Sequence, residues 1–161
     1  MFDQERTLNN LMRHFAKSLV KDIDDADMAR EAFPGANHAA WVLGHIIVST
    51  DGVVKLLGGQ STAPAEWNAL FGRGSAITYD RAAYPTKDEL LAALDATFDA
   101  ALAAASAATQ EQCAAPHHVE MLRRGLPTTG DLIAMLLTTH VAQHLGQLSA
   151  WRRALGKPAM F

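Results

Sequence analysis

The sequence lacks most of the features that would assign it to a specialised class of protein. Only one of its 161 residues, Cys113, is a cysteine, so no disulfide can form within the chain and a cytoplasmic location is expected. Cys113 has no candidate base beside it, and we interpret it as incidental rather than as a nucleophile. No run of about 18 apolar residues is present, and the polar, acidic N-terminus is unlike a signal peptide.

Neither sign of charge predominates, because the formal net charge is only −3 with neutral histidines. Nucleic-acid-binding domains carry a clustered basic face, and none is present here. We therefore expect neither a nucleic acid nor a membrane as a partner, and a small molecule as the substrate. Apolar residues make up 49% of the chain, which is enough for a core, and we predict a single domain over residues 1–161.

Helical periodicity is the dominant pattern along the chain. Long amphipathic helices are predicted from Asp3 to about Ile23, from Asn37 to Gly58, from Thr86 to about Ala108 and from Thr128 to Gly156. A short helical segment is predicted at residues 28–33, and a short turn capped by Ser61 or Thr62 is predicted to run through Pro64, Trp67 and Phe71. The fold class is therefore all-α, and an antiparallel four-helix bundle with long crossover connections is the simplest arrangement. Gly44 and Gly52 weaken the second helix, so we expect them to permit close approach of a neighbour.

Two histidines interrupt the apolar face of the fourth predicted helix. His140 and His144 are four residues apart, so both imidazoles lie on one face, in the geometry with which a helix binds a divalent metal ion. The alternative is a pair of core or surface histidines with this spacing by chance. His45 lies in the middle of the apolar face of the second helix, where a lone histidine is usually a satisfied core residue.

Two segments resemble the paired motifs of the DinB-like superfamily. They are NHAAWVLGHI at residues 37–46 and HVAQHLGQL at residues 140–148, the latter followed by WRRALG at residues 151–156. The resemblance implies a four-helix bundle, often dimeric, with a divalent metal ion held by His45, His140 and His144. Many members have a further histidine or arginine near the second ligand, where this sequence has Gln143 and Leu145. The superfamily includes thiol-dependent S-transferases and isomerases, as well as members without a known activity.

Three neutral imidazoles leave a zinc-like ion an open position, which is typical of catalytic sites. We expect zinc or nickel, although imidazole also suits copper and iron. The leading hypothesis is a thiol-dependent transferase that activates an external low-molecular-weight thiol on the metal. The alternatives are a metal-hydroxide hydrolase of small esters or amides and a non-catalytic metal-binding module of the stress response. We expect a homodimer, because large apolar groups lie in poorly covered segments at Trp67, Phe71, Met160 and Phe161.

Two other residues of the fourth predicted helix have two interpretations each. Gln147 could orient a metal-bound group or could be a packing residue, and Arg152 could bind a substrate carboxylate or could be a charge near a helix end. The substrate is expected to enter near Asn37, His38 and the loop after the second helix. We interpret the remaining histidines as solvent-exposed rather than as ligands, namely His14, His117 and His118.

Overall fold

The computed structural model describes residues 1–160, and within that range the chain forms seven α-helices, three 3-10 turns and no strand. The prediction of an all-α chain is confirmed. The count of four helices is not confirmed, and the antiparallel bundle stays a prediction. The helices are α1 (Asp3–Val20), α2 (Ala39–Leu56), α3 (Trp67–Phe71), α4 (Lys87–Ala107), α5 (Gln110–Ala114), α6 (Thr129–Leu137) and α7 (Thr139–Ala154), and the 3-10 turns are Asp25–Asp27, Arg81–Ala83 and Glu120–Leu122.

The predicted fourth helix is in fact two helices. The break is at Thr138, whose backbone angles, φ −129° and ψ −82°, lie far from helical values. Its hydroxyl donates a hydrogen bond to the Ala134 carbonyl at 2.6 Å and caps no amide of α7. A threonine hydroxyl that bonds a carbonyl four residues earlier competes with the backbone hydrogen bonds of the helix. His140 is consequently the second residue of a new helix rather than the middle of a long one.

The start of α2 differs from the prediction as well. The cap is His38 rather than Asn37, since the His38 Nδ1 accepts a hydrogen bond from the Trp41 amide at 3.2 Å. Because Nδ1 accepts, Nε2 carries the proton and donates to the Thr78 carbonyl at 2.9 Å. His38 is fully buried, so it does not line a route for substrate. The helical segment predicted at residues 28–33 is also wrong, because the turn lies earlier, at Asp25–Asp27.

Helix α2 is the central element of the core. It packs against α3, α4, α6 and α7, and nearly all of its residues are buried. The alanine-rich α4 packs closely against it and begins with a capping box, in which the Thr86 amide donates to Glu89 Oε2 at 2.7 Å. The core includes the large buried side chains of Leu43, Ile46, Ile47, Phe71, Leu90, Leu94, Phe98 and Trp151.

Two expectations about exposed apolar residues are wrong. Trp67 and Phe71, which were expected to be poorly covered, are buried in the core. The helical periodicity of α1 places Leu8 and Leu11 on its apolar face and so predicts that they are buried, but each is 48% exposed. Met160 is 39% exposed, and Phe161 lies outside the described residues. The expected homodimer therefore stays a prediction that these aromatic residues do not support.

Two helical segments are long and apolar enough to cross a membrane, namely Ala39–Leu56 and Arg81–Ala107. In the most apolar 18-residue stretch of each segment, 78% of the first and 39% of the second is buried inside the protein. A core helix of a soluble protein meets the same criterion, so this finding is weak evidence for a membrane span.

The C-terminal end of α7 is joined to the end of α1 by a buried arginine. Arg152 is 1% exposed, and its Nη2 donates to Asp22 Oδ2 at 2.9 Å while its Nη1 bonds Asp22 Oδ1. The same guanidinium donates to the carbonyls of Leu19 at 3.2 Å and Pro158 at 3.0 Å. All of these partners belong to the fold, so the interpretation of Arg152 as a substrate-binding residue is wrong.

This ion pair predicts a stability that depends on pH. The hydrogen bond from Arg152 lowers the pKa of Asp22 from 3.8 to about 2. A folded pKa below the unfolded one stabilises the protein above about pH 4, and this contribution is lost as the pH falls towards 2. At pH 7 we expect Asp22→Asn to lower the free energy of unfolding by about 1–3 kcal/mol, because Arg152 stays buried while the Asp22 carboxylate is partly exposed.

Urea denaturation of both proteins at pH 7, 4 and 2.5 measures this contribution. The difference in unfolding free energy between wild type and Asp22→Asn should shrink across the acidic range. The matched control is Asp3→Asn, because Asp3 is an exposed acidic residue at the start of α1, the helix that Asp22 follows. A difference that stays constant from pH 7 to pH 2.5 would contradict the assignment.

Candidate metal centre

Three histidines from α2 and α7 meet at one point. The ring centroids are 4.5 Å apart for His45 and His144, 4.5 Å for His140 and His144, and 5.2 Å for His45 and His140. The potential ligand nitrogens all lie within 4.8 Å of one another. The structure thus brings together the three residues that were predicted from the sequence. Their ability to hold a metal ion depends on which ring nitrogens have a free lone pair.

His45 is held by the short helix α3. Its Nδ1 donates a hydrogen bond to the Phe71 carbonyl at 2.7 Å, so Nε2 is left with a free lone pair. The Trp41 ring stacks on the imidazole, with 4.8 Å between centroids and 7° between planes. Gly44 permits this arrangement, because a Cβ at that position would lie 2.3 Å from the Phe71 ring. Close approach was predicted for Gly44, and the structure confirms it.

His144 is held from within its own helix. Its Nδ1 donates to Gln147 Oε1 at 2.9 Å, which again leaves Nε2 with the lone pair. Histidine ligands in metalloproteins usually donate the other ring N–H to an oxygen in this way, which sets the tautomer and the ring direction. Gln147 therefore orients the imidazole, a role that differs from both interpretations of the sequence, namely orienting a metal-bound group and packing.

His140 completes the cluster with an unsatisfied nitrogen. Its Nδ1 is buried and has no hydrogen-bond partner. Buried polar atoms are nearly always paired, so an orphan nitrogen beside two oriented imidazoles needs an explanation. Two neutral imidazoles with free lone pairs and a third with an unpartnered nitrogen form a donor set that fits a divalent ion of the zinc type.

The surroundings keep all three imidazoles uncharged near pH 7. Burial lowers the pKa of each, although the hydrogen bonds of His45 and His144 partly oppose this effect. For His140 the pKa falls from 6.5 to about 4, because burial is reinforced by the neighbouring His144 and His45. Only a neutral imidazole offers a lone pair to a cation, so these three imidazoles have their lone pairs available at physiological pH.

The histidines open onto the larger of the two described cavities, of about 760 Å³. Lys55 and Arg73 are the cations on its wall, and no carboxylate lines it within residues 1–160. The polar and aromatic lining also includes Trp41, Ser49, His118 and Gln143. The apolar lining comprises Val48, Leu56, Val119, Met121, Leu122, Leu132, Met135 and Leu136.

The other histidines do not join the centre. His117 is buried, where its Nδ1 accepts from the Val119 amide at 3.1 Å and its Nε2 donates to the Leu126 carbonyl at 2.6 Å. This role is structural, so the expectation that His117 is exposed is wrong. His118 is exposed and lines the cavity, and His14 is exposed on α1. Sequence reasoning missed that the Phe71 carbonyl orients His45 and that Arg73 lines the cavity, because no pattern marks a backbone group or a single loop arginine.

Fold and site together define an all-helical protein with a candidate three-histidine metal centre beside a large cavity. The family model of the DinB superfamily matches residues 10–148, a segment that contains all three histidines. The chain therefore belongs to the DinB superfamily, and the resemblance seen in the sequence is confirmed. A search of the curated proteins finds no match.

Proposed function

We propose that this protein binds one divalent metal ion, zinc or nickel, through His45, His140 and His144 and transfers a low-molecular-weight thiol onto a small electrophile. The observation that carries the proposal is the convergence of three neutral imidazoles at the wall of a large cavity. Three protein ligands leave a position open to a small molecule, and the cavity gives that molecule access. The resemblance to a superfamily with thiol-dependent members supports the choice of reaction.

A divalent ion held in this way lowers the pKa of a thiol beside it and so makes thiolate available near neutral pH. The residues of the chain prepare the site for this chemistry. The Phe71 carbonyl and the Gln147 side chain orient two imidazoles, and the Trp41 ring packs against one of them. A donor set that is already oriented loses little conformational entropy when it binds.

The sulfur has to come from outside the protein. Cys113 is buried and is not among the cavity residues within the described part of the chain. In the transfer, the thiol loses its proton to water, a bond forms between sulfur and the electrophilic carbon, and the bond from that carbon to the leaving group breaks. The leaving group departs with the electron pair of that bond, so the step needs no oxidant or reductant.

A panel of small electrophiles and activated esters, assayed with and without glutathione, bacillithiol or mycothiol, tests this proposal. We expect metal-loaded wild type to turn over an electrophile only when a thiol is present. In His144→Ala the rate should fall by more than about 100-fold, because loss of a ligand exceeds the ~10–100-fold effect of altering its outer partners. His14→Ala is the matched control, since His14 is an exposed histidine far along the sequence from the centre.

Three results would contradict the transferase. Ester cleavage without a thiol would indicate a hydrolase. Thiol-dependent turnover that persists in His144→Ala would place the chemistry elsewhere. Silence of the metal-loaded protein toward every thiol and ester would favour the non-catalytic module.

A further inference from the structure

We propose that the cavity beside the three histidines takes a small organic anion with an apolar body, and that Arg73 pairs with its anionic group. The inference rests on the proposed function, because it names the class of substrate for that centre. It goes further in assigning a specificity-determining residue, one that lies in a loop and contacts none of the histidines.

The size and walls of the cavity favour an apolar body. A volume of about 760 Å³ lies within the range of roughly 300–1,000 Å³ that small-molecule sites occupy. Aliphatic side chains from α2 and α6 form much of its wall, among them Val48, Leu132 and Leu136. Burial of hydrocarbon against such a wall is favourable in proportion to the apolar area removed from water.

The charges on the cavity wall favour an anion. Lys55 is already neutralised, because its Nζ lies 2.7 Å from Oδ2 of Asp51, which is fully buried. Arg73 has no carboxylate partner within the described residues, and its Nη1 instead contacts the sulfur of Met121, a weak acceptor. An anionic group would replace the thioether with charge-assisted hydrogen bonds, which are roughly twice as strong as neutral ones.

The position of Arg73 relative to the histidines is set by anchors on both sides. Two residues before it, the Phe71 carbonyl accepts the hydrogen bond from His45. Two residues after it, the Ser75 hydroxyl accepts a hydrogen bond from the Trp41 indole nitrogen at 2.9 Å. His45 and Trp41 are neighbours on α2 and stack on each other. The loop of Arg73 is therefore tied to the element that carries the first histidine, so the arginine and the centre face one ligand together.

Octanoate and its neutral analogue octanamide, titrated by calorimetry into the metal-loaded protein, test the inference. Wild type should bind octanoate more tightly than octanamide. In Arg73→Gln the affinity for octanoate should fall about tenfold, the loss expected for one charge-assisted hydrogen-bonded contact, while the affinity for octanamide stays the same. The matched control is Arg124→Gln, because Arg124 is an exposed arginine that does not line the cavity.

A second variant, Gly52→Leu, tests the cavity itself. A Cβ at Gly52 would meet only a Leu136 methyl group at 3.8 Å, and Gly52 lines the cavity, so a leucine side chain there would take up part of the cavity. Leucine is also a better helix former than glycine, so folding should not suffer. Both probes should lose binding in this variant, whereas metal content, measured on the same samples, should stay at the wild-type level.

The outcomes separate this inference from the metal centre. Octanoate binding that survives Arg73→Gln but disappears in His144→Ala would mean that the anion sits on the metal, and the assignment of Arg73 would be overturned. Failure of metal-loaded wild type to bind either probe would overturn the substrate class and leave the centre intact. Octanoate binding that depends on Arg73, in a metal-loaded protein that shows no thiol-dependent turnover, would support the assignment of Arg73 while overturning the proposed function.

Discussion

His140→Ala should reduce the bound metal from about one divalent ion per chain to a small fraction of that value. The substitution leaves two imidazoles where three converge within 4.8 Å, and the loss in affinity should exceed the ~10–100-fold effect of a change in the outer partners of a ligand. Elemental analysis by mass spectrometry after dialysis gives the stoichiometry directly. The fold should survive, because alanine is the best helix former and His140 is only partly buried.

Two further variants calibrate this measurement. Gln147→Ala removes the acceptor of the His144 Nδ1 proton and leaves all three histidines in place, so metal affinity should fall by an intermediate ~10–100-fold. His14→Ala, on an exposed face of α1, should keep the wild-type stoichiometry. Equal metal contents in wild type and His140→Ala would refute the three-histidine centre.

Asp51→Ala should lower the free energy of unfolding by about 3–5 kcal/mol, the usual cost of breaking a buried ion pair from one side. Asp51 is fully buried and has Lys55 Nζ at 2.7 Å. It also accepts hydrogen bonds from the Ser61 hydroxyl, the Thr62 amide at 2.8 Å and the Ala63 amide at 3.4 Å. Burial by itself raises the pKa of this carboxyl, but Lys55 and these donors outweigh it, so the net pKa is lowered and the group stays charged.

Thermal and urea denaturation at pH 7 measure this loss. For a chain of this size, 3–5 kcal/mol corresponds to a fall in melting temperature of about 6–20 °C. The control is Asp95→Ala, because Asp95 forms a partly exposed pair with Lys17 at 2.6 Å, worth less than about 1 kcal/mol. If Asp51→Ala lost no more stability than the control, the Asp51 carboxylate would not be what holds residues 61–63 against α2.

The histidines of the centre were predictable because each carries a local or a motif signal. The spacing of His140 and His144 predicts a shared face on any helix, whether the helix is long or short. His45 gave no such signal by itself, since a lone histidine on an apolar face is usually a core residue. Its place at the centre was predicted from the resemblance to the DinB-like superfamily, and the structure brings it to the other two.

The break at Thr138 was not predictable from periodicity. Apolar residues continue on both sides of it, and threonine has only a modest preference against helix interiors. The apolar positions on the two sides of the break belong to separate helices, α6 and α7. A pattern of apolar positions shows which faces are buried, but it does not show whether the backbone hydrogen bonds run on without interruption.

The buried polar anchors were invisible for a related reason. Asp22 and Arg152 are 130 residues apart, and His38 is satisfied by a backbone carbonyl 40 residues away. Local propensity gives no information on such partners, so each residue was interpreted from its own neighbourhood. The exposure of Leu8 and Leu11 was missed in the same way, because an amphipathic stripe predicts a buried face without saying how far its neighbours cover it.

Phe71 imposes a constraint on how this protein can diverge. Its ring fills the space where a side chain at Gly44 would be, while its carbonyl accepts the proton of His45, 26 residues earlier in the chain. A lineage that acquires even an alanine at position 44 must shift or shrink the ring at position 71, and such a shift would carry the carbonyl with it. Positions 44 and 71 are therefore expected to change together. A change of the side chain at position 71 is tolerated better than a movement of the backbone there, because the carbonyl and not the ring accepts the hydrogen bond from His45.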